Sequence, residues 1–227
     1  MHNLLLLDGA PLNTSAGPNL LWFMHMSKAV WFSMKKLTLA TLLIVSCATA
    51  WAADFEKGFA AAEAGDFATA LIEWKPLAEQ GDADAQYNLG VMYANGEGVI
   101  EDDKEAVKWY RLAAEQGNAE GQFNLGTMYA RGEGVIENYK EVVKWYRLAA
   151  EQGYADAQSH LAYMHANGQG VIQDNVYAHM WWNIAASNGS ESAKKVKDIL
   201  VEDMTPQDIS KAQDLARECV KKNYKDC

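Results

Sequence analysis

Apolar and small residues recur along the chain at helical spacing. From Ala83 onward, Ala85, Leu89, Gly90 and Tyr93 fall on one side of a helix turning 100° per residue, while Asp84, Asn88, Val91, Met92 and Asn95 fall toward the other. The glycine-rich stretch Asn95-Gly96-Glu97-Gly98 breaks this pattern. A second helical stripe follows, with Ala106, Trp109, Tyr110 and Ala113 on its apolar side and Lys104, Lys108, Arg111 and Glu115 on its polar side. The whole helix–turn–helix unit, 83–118, recurs as 119–154 and again as 155–190, an unbroken period of 36 residues. Self-similarity at a fixed period of this size predicts a stacked repeat architecture in which each copy buries its apolar faces against its neighbours.

The flanks read as caps for this array. Residues 53–82 form a shorter, degenerate first unit with a tight Ala64-Gly65 turn, and Asp66 is placed to cap its second helix. Pro76 falls inside that helix and predicts a bend, because it lacks an N–H and crowds the Ile72 carbonyl. Residues 191–227 predict closing helices. Ser190 caps the first of them, and Thr205-Pro206-Gln207-Asp208 starts the second, whose apolar stripe is Ile209, Ala212, Ala216, Cys219 and Val220. Within the repeats, Asp102 with Glu105 and Asn138 with Glu141 have capping-box spacing, and Asp174 stands at the same place in copy three. Gln86, Gln122 and Gln158 project toward the buried side of the first helix, so each amide is expected to find carbonyl or amide partners in the adjoining turn.

The residues that carry the period also carry a resemblance. The pattern A-x-A-x-x-x-L-G-x-x-Y, then G-x-G-V, a cap, A-x-x-W-[YW] and A-A-x-x-G resembles the Sel1-like repeat, a relative of the tetratricopeptide repeat. Its signature positions here are Leu89, Gly90, Tyr93, Trp109 and Tyr110, then Leu125, Gly126, Tyr129, Trp145 and Tyr146, then Trp181 and Trp182. The resemblance implies an all-α, right-handed superhelical solenoid of antiparallel helix pairs. It specifies fold far more than function, because such repeats serve as scaffolds for many partners.

Composition and the N-terminus alter this picture in one respect. Met34-Lys35-Lys36, a 12-residue apolar run from Leu37 to Ala48, and Ala50-Trp51-Ala52 form a charged start, a short apolar stretch and a small-x-small cleavage site. Residues 34–52 therefore predict a secretory signal cleaved after Ala52, too short to span a bilayer. Residues 1–33 are expected to be an upstream extension absent from the working protein. Cys47 offers an alternative, a lipidated N-terminus, since its surroundings loosely resemble a lipobox. Cleavage after Ala52 removes Lys28, Lys35, Lys36 and Asp8, leaving 17 basic against 29 acidic residues and a formal charge of −12, compared with −10 for the whole chain. That balance disfavours nucleic acid and anionic membranes as partners. Cys219 and Cys227 remain and head for an oxidising compartment, where they can form a terminal disulfide; alternatively, Cys219 packs as a small apolar residue.

Catalytic chemistry has no visible seat. The loop glycines lack the preceding strand and the following Lys-Ser/Thr pair of a phosphate-binding loop. His160 and His165 lie about 140° apart around a helix and cannot share a metal as an i, i+4 pair does. No serine or cysteine sits in a nucleophile motif, and no catalytic residue, metal or cofactor is expected. The binding reading has more material. The first helices of the three copies are expected to line a concave groove with Asn88, Met92 and Asn95; Asn124, Met128 and Arg131; and His160, Met164 and Asn167. Asn88 and Asn124 match the peptide-clamping Asn of tetratricopeptide domains, and His160 departs from it. The chain therefore reads as a non-enzymatic, monomeric interaction scaffold of the bacterial cell envelope, exported to the periplasm, with a protein or peptide partner. The mature chain is expected to have no transmembrane span. One alternative is a β-lactam-binding or hydrolysing envelope protein, although the per-repeat cysteines of such relatives are missing. The other is a lipidated assembly factor of an exopolysaccharide or secretion machine.

Overall fold

The computed structural model describes residues 53–227. The upstream extension 1–33, the signal segment 34–52 and Cys47 lie outside the described residues. Among the described residues the fold is all-helical. Two helices, α1 (Phe55–Glu63) and α2 (Phe67–Glu79), form the first unit. The three copies contribute α3 (Ala83–Asn95) with α4 (Asp103–Glu115), α5 (Ala119–Arg131) with α6 (Tyr139–Ala150), and α7 (Ala155–Asn167) with α8 (Asn175–Ser187). Helix α9 (Glu191–Leu200), a single 3-10 turn (Val201–Asp203) and α10 (Pro206–Lys221) close the array. Each helix packs mainly on its neighbours in sequence, except that α10 folds back onto α8. Among the described residues no helix is long and apolar enough to cross a membrane.

The caps explain where the helices begin. Asp102 and Asn138 each accept two backbone N–H bonds through one side-chain oxygen, and Asp174 does the same for α8. The reciprocal half of the capping box is absent. The N–H groups of Asp102, Asn138 and Asp174 donate instead to the carbonyls of Tyr93, Tyr129 and His165, which ties the end of each loop back to the first helix of its own copy. Glu105 and Glu141, released from that duty, pair with Lys108 and Lys144. Helix α2 runs through Pro76 as one element from Phe67 to Glu79.

The apolar core repeats with the sequence. One cluster joins Ala70, Trp74 and Ala78 of α2 to Ala85, Leu89 and Met92 of α3 and to Trp109 of α4. The next joins Ala106, Val107, Tyr110 and Ala114 of α4 to Leu125 and Met128 of α5 and to Trp145 of α6. Each first helix is thus wedged between the second helix of the preceding unit and the second helix of its own. Two close approaches set the spacing. A Cβ at Gly90 or Gly126 would lie 2.5 or 2.7 Å from the ring of Tyr110 or Tyr146, so only glycine lets these rings lie flat on the helix. A Cβ at Gly134 would lie 2.3 Å from the Asp103 carbonyl oxygen, the backbone of the preceding unit's second helix.

Cys219 is buried and also bonded to Cys227, with Cα atoms 5.5 Å apart, so the packing role and the disulfide coexist. Val220, expected on the buried stripe of α10, is exposed; Leu215 packs against the core in addition to Ala212, Ala216 and Cys219.

The close approach at Gly134 makes a prediction that separates backbone strain from crowding. Gly117 and Gly134 both have positive φ, 94° and 67°, but nothing lies within 4 Å of a Cβ at Gly117. Gly117→Ala is therefore expected to cost about 1–2 kcal/mol for the left-handed backbone alone. Gly134→Ala should cost about 1–3 kcal/mol more through overpacking. Urea titration of both variants checks the difference, and equal midpoints would contradict the inter-repeat contact.

Candidate partner-binding face

The outward strip of each first helix is narrower than the sequence pattern suggests. Met92, Met128 and Met164 were expected to face the groove, yet they are only 1, 5 and 4% exposed. The reason is the wedge: Ala85, Leu89 and Met92 join the cluster with Ala70, Trp74 and Ala78 of the preceding second helix, Gly90 lies against Tyr110 of the helix's own partner, and Gln86 bonds to both sides. What stays accessible is the strip Asp84, Asn88, Asn95 and its counterparts. Asn88 and Asn124 are half-buried, and Asn95, Arg131, His160 and Asn167 are exposed. Arg131 sits 3.7 Å from Glu133 in an exposed pair that contributes little. The Asn167 amide donates to the Tyr163 carbonyl at 2.9 Å, and His160 Nδ1 lies 2.9 Å from the Asp156 carbonyl.

Behind this strip runs a row of aromatic pairs, one per unit. Phe55 lies against Trp74 at 6.0 Å between ring centroids, Tyr87 against Tyr110 at 6.1 Å, and Phe123 against Tyr146 at 5.3 Å. In the second and third of these pairs the polar residue of the next unit covers the rings. The Asn124 amide lies beside the Tyr87 and Tyr110 hydroxyls; burial pushes both phenols up, and the amide opposes that effect. His160 takes the same place over Phe123 and Tyr146, with centroids 5.2 and 5.4 Å away and both contacts edge-on. The expected peptide-clamping amide at Asn124 is therefore shared with its own chain.

In copy three the row breaks. Ser159 stands where Tyr87 and Phe123 stand, Ala162 replaces Gly90 and Gly126, and Trp182 replaces Tyr110 and Tyr146. Ala162 thus carries a methyl where the other two copies have none against the ring. A cavity of about 380 Å³ opens there, lined by Ser159, His160, Tyr163, Trp182 and Val196. Sequence reasoning counted Trp182 only as a repeat signature and passed over Ser159. The signal was available as the one non-aromatic residue in the series 87, 123, 159. A second surface feature was also passed over: Ile100, Ile136 and Ile172, one per loop, are 90, 89 and 89% exposed.

The family model of the Sel1 repeat matches residues 83–118, 119–154 and 155–190. Three successive units of this chain therefore match the Sel1 repeat. Among solved structures, a Sel1 repeat protein from Oxalobacter formigenes is 36% identical over 62% of this chain and 58% of its own length, with a TM-score of 0.60. Another is c5321, described as a protective antigen present in uropathogenic Escherichia coli strains displaying an SLR fold. It is 27% identical over 69% of this chain and 42% of its own length, with a TM-score of 0.52. The chain thus spans less than two thirds of either protein. No match emerges among curated protein sequences. Sel1 repeats commonly mediate protein–protein interaction, and the family is generally a non-enzymatic scaffold.

The third Sel1 repeat also holds the buried histidines. His165 stacks on Tyr177 at 5.4 Å, and neither ring nitrogen has a partner; His179 Nδ1 likewise has none. Burial holds both imidazoles below their ordinary range. Arg147 pushes His165 the same way and Asp174 opposes it; Lys197 and Asp198 play those parts for His179. Because the folded chain refuses these protons, the unfolded chain binds more of them once the pH drops below about 6.5, the free imidazole value. Their contribution to stability is whole above that pH and declines as pH falls toward the depressed native values, with a limiting slope of about 1.4 kcal/mol per pH unit for each histidine. The urea midpoint is expected to fall from pH 7 to pH 5, and less so in His165→Phe. An identical fall in the two proteins would remove His165 from the account.

Proposed function

We propose that this protein is a non-enzymatic interaction scaffold of the bacterial cell envelope that holds a segment of a partner protein along its first-helix face. The observation that carries the reading is the strip Asn88, Asn124 and His160, repeated at one-unit spacing beside the aromatic pairs of the first three units. Amides and an imidazole at regular intervals suit the carbonyls of an extended segment, each hydrogen bond contributing about 0.5–1.5 kcal/mol. Arg131, only loosely paired with Glu133, is the natural contact for a ligand carboxylate. The repeat family's common role in protein–protein interaction supports the same reading.

Export to the periplasm rests on the Lys35-Lys36, apolar and Ala50-Trp51-Ala52 series, and the disulfide between Cys219 and Cys227 suits an oxidising compartment. The two similar structures named above are of bacterial proteins, and one is described as a protective antigen. Cleavage after Ala52 is expected to give a mature N-terminus at Ala53. N-terminal sequencing of protein recovered from the periplasm checks this, and an N-terminus at Cys47 would favour the lipidated alternative instead.

The face itself is tested by comparative capture from envelope extract. Asn88→Ala, Arg131→Glu and His160→Ala combined should reduce recovery of the partner by about ten-fold, which is the loss of roughly one to two such hydrogen bonds. Lys108→Glu with Lys144→Glu, on the outer side of the second helices, should leave it unchanged. Far-UV circular dichroism confirms that both variants fold. Equal capture by the first variant and wild type would refute the face.

A further inference from the structure

The break in the aromatic row at the third repeat is a shaped vacancy. In the two preceding units the corresponding volume is filled from within, by Tyr87 against Tyr110 and by Phe123 against Tyr146. At the third, the chain supplies the receiving ring, Trp182, and the covering residue, Val196, but Ser159 supplies no ring to fill it. The cavity of about 380 Å³ exceeds the roughly 150 Å³ of apolar space that can hold benzene. It opens to solvent beside the half-exposed Tyr163, and its lining is mostly apolar.

The charge around it differs from the rest of the protein. Three of the four residues 194–197 on α9 are lysines, and the fourth is Val196 itself. Lys194 and Lys195 are exposed and form no ion pair among the described residues, while Lys197 lies near Asp198 at 3.8 Å. At 100° per residue Lys195 and Lys197 flank Val196 while Lys194 falls on the far side of α9, so on a chain of net charge −10 the unpaired positive charge next to Val196 is Lys195. An aromatic side chain would gain the ring-on-ring contact that the two preceding units display, tilted in one and stacked in the other, and an adjacent carboxylate would meet Lys195.

We propose that the cavity at Ser159 and Trp182 receives the aromatic side chain of a partner segment that carries acidic residues beside the aromatic one. This inference rests on the reading of the first-helix face as a binding surface and names the chemistry of one subsite on it. The slot completes from outside the aromatic pair that Ser159 leaves incomplete.

The test uses the full chain and the synthetic probe Ac-Asp-Phe-Asp-NH2 at millimolar concentration, observed by NMR. The probe should shift the backbone amides of Ser159, His160 and Trp182. Ac-Asp-Leu-Asp-NH2 and Ac-Lys-Phe-Lys-NH2 should each bind at least several-fold more weakly. Ser159→Phe, which restores the row from within, should abolish the shifts and raise the melting temperature. Lys194→Glu with Lys195→Glu, which alters only exposed side chains, should weaken the probe several-fold without moving the melting temperature, and it serves should Ser159→Phe not fold. No shift at these amides, equal binding of the three probes, or full binding to folded Ser159→Phe would overturn the proposal. Partner capture that survives Ser159→Phe but is lost on Asn88→Ala with Arg131→Glu overturns the pocket while leaving the face. Capture insensitive to both overturns the face.

Discussion

A buried glutamine in each repeat ties three helices together, and the rest of the array depends on that junction. Gln122 donates to the Ala114 carbonyl at the end of the preceding unit's second helix, at 3.1 Å, and accepts from Gln152 at the end of its own second helix, at 2.8 Å. Gln86 does the same with Ala78 and Gln116, and Gln158 with Ala150 and Asn188. A buried amide without partners is costly, so the bonds that satisfy it allow one register between successive units and penalise others. The ladder continues past the repeats, since Tyr224 donates to Asn188 and anchors the disulfide-bonded tail. The opposite edge of each unit is fixed by backbone contact, where Gly98, Gly134 and Gly170 press against Phe67, Asp103 and Tyr139, the first residues of the preceding second helices.

Held at both edges, each first helix has two buried sides and only a strip left for other work. This explains why the accessible strip is polar and why Met92, Met128 and Met164 are lost to the core. It also explains why a substitution pattern confined to one repeat can create a site. With the helices held in place, the helix pair in copy three does not close over the space that Ser159 leaves, and the missing ring becomes a cavity lined by Trp182 and Val196. The same rigidity isolates His165, which takes the position of Tyr129. In copy two the Tyr129 hydroxyl accepts from Arg111 at 2.7 Å; in copy three an imidazole faces the neighbouring arginine without a bond.

Local chemistry was legible in the sequence wherever short range decides it. The 36-residue period, the caps at Asp66, Asp102, Asn138, Asp174, Ser190 and Thr205, the glycine turns and the buried tryptophans all follow from propensity, capping and amphipathic spacing within one unit. The need of the three glutamines for partners was equally legible, because burial of an amide demands them. Their identity was not: the acceptors lie in the preceding unit and the donors 30 residues ahead.

Only the tertiary structure decided which side of each first helix is free. A single helix with one apolar stripe predicts a broad outer face, whereas stacking buries a second stripe and takes Met92, Met128 and Met164 with it. It likewise decided that Glu105 and Glu141 abandon the capping box, because the N-cap N–H is already used by a carbonyl of the first helix. The sequence alone determined the repeat and its elements, since those depend on contacts within a few residues. The face, the slot at Ser159 and the isolated histidines depend on how one unit's surface meets the next, which no single repeat encodes.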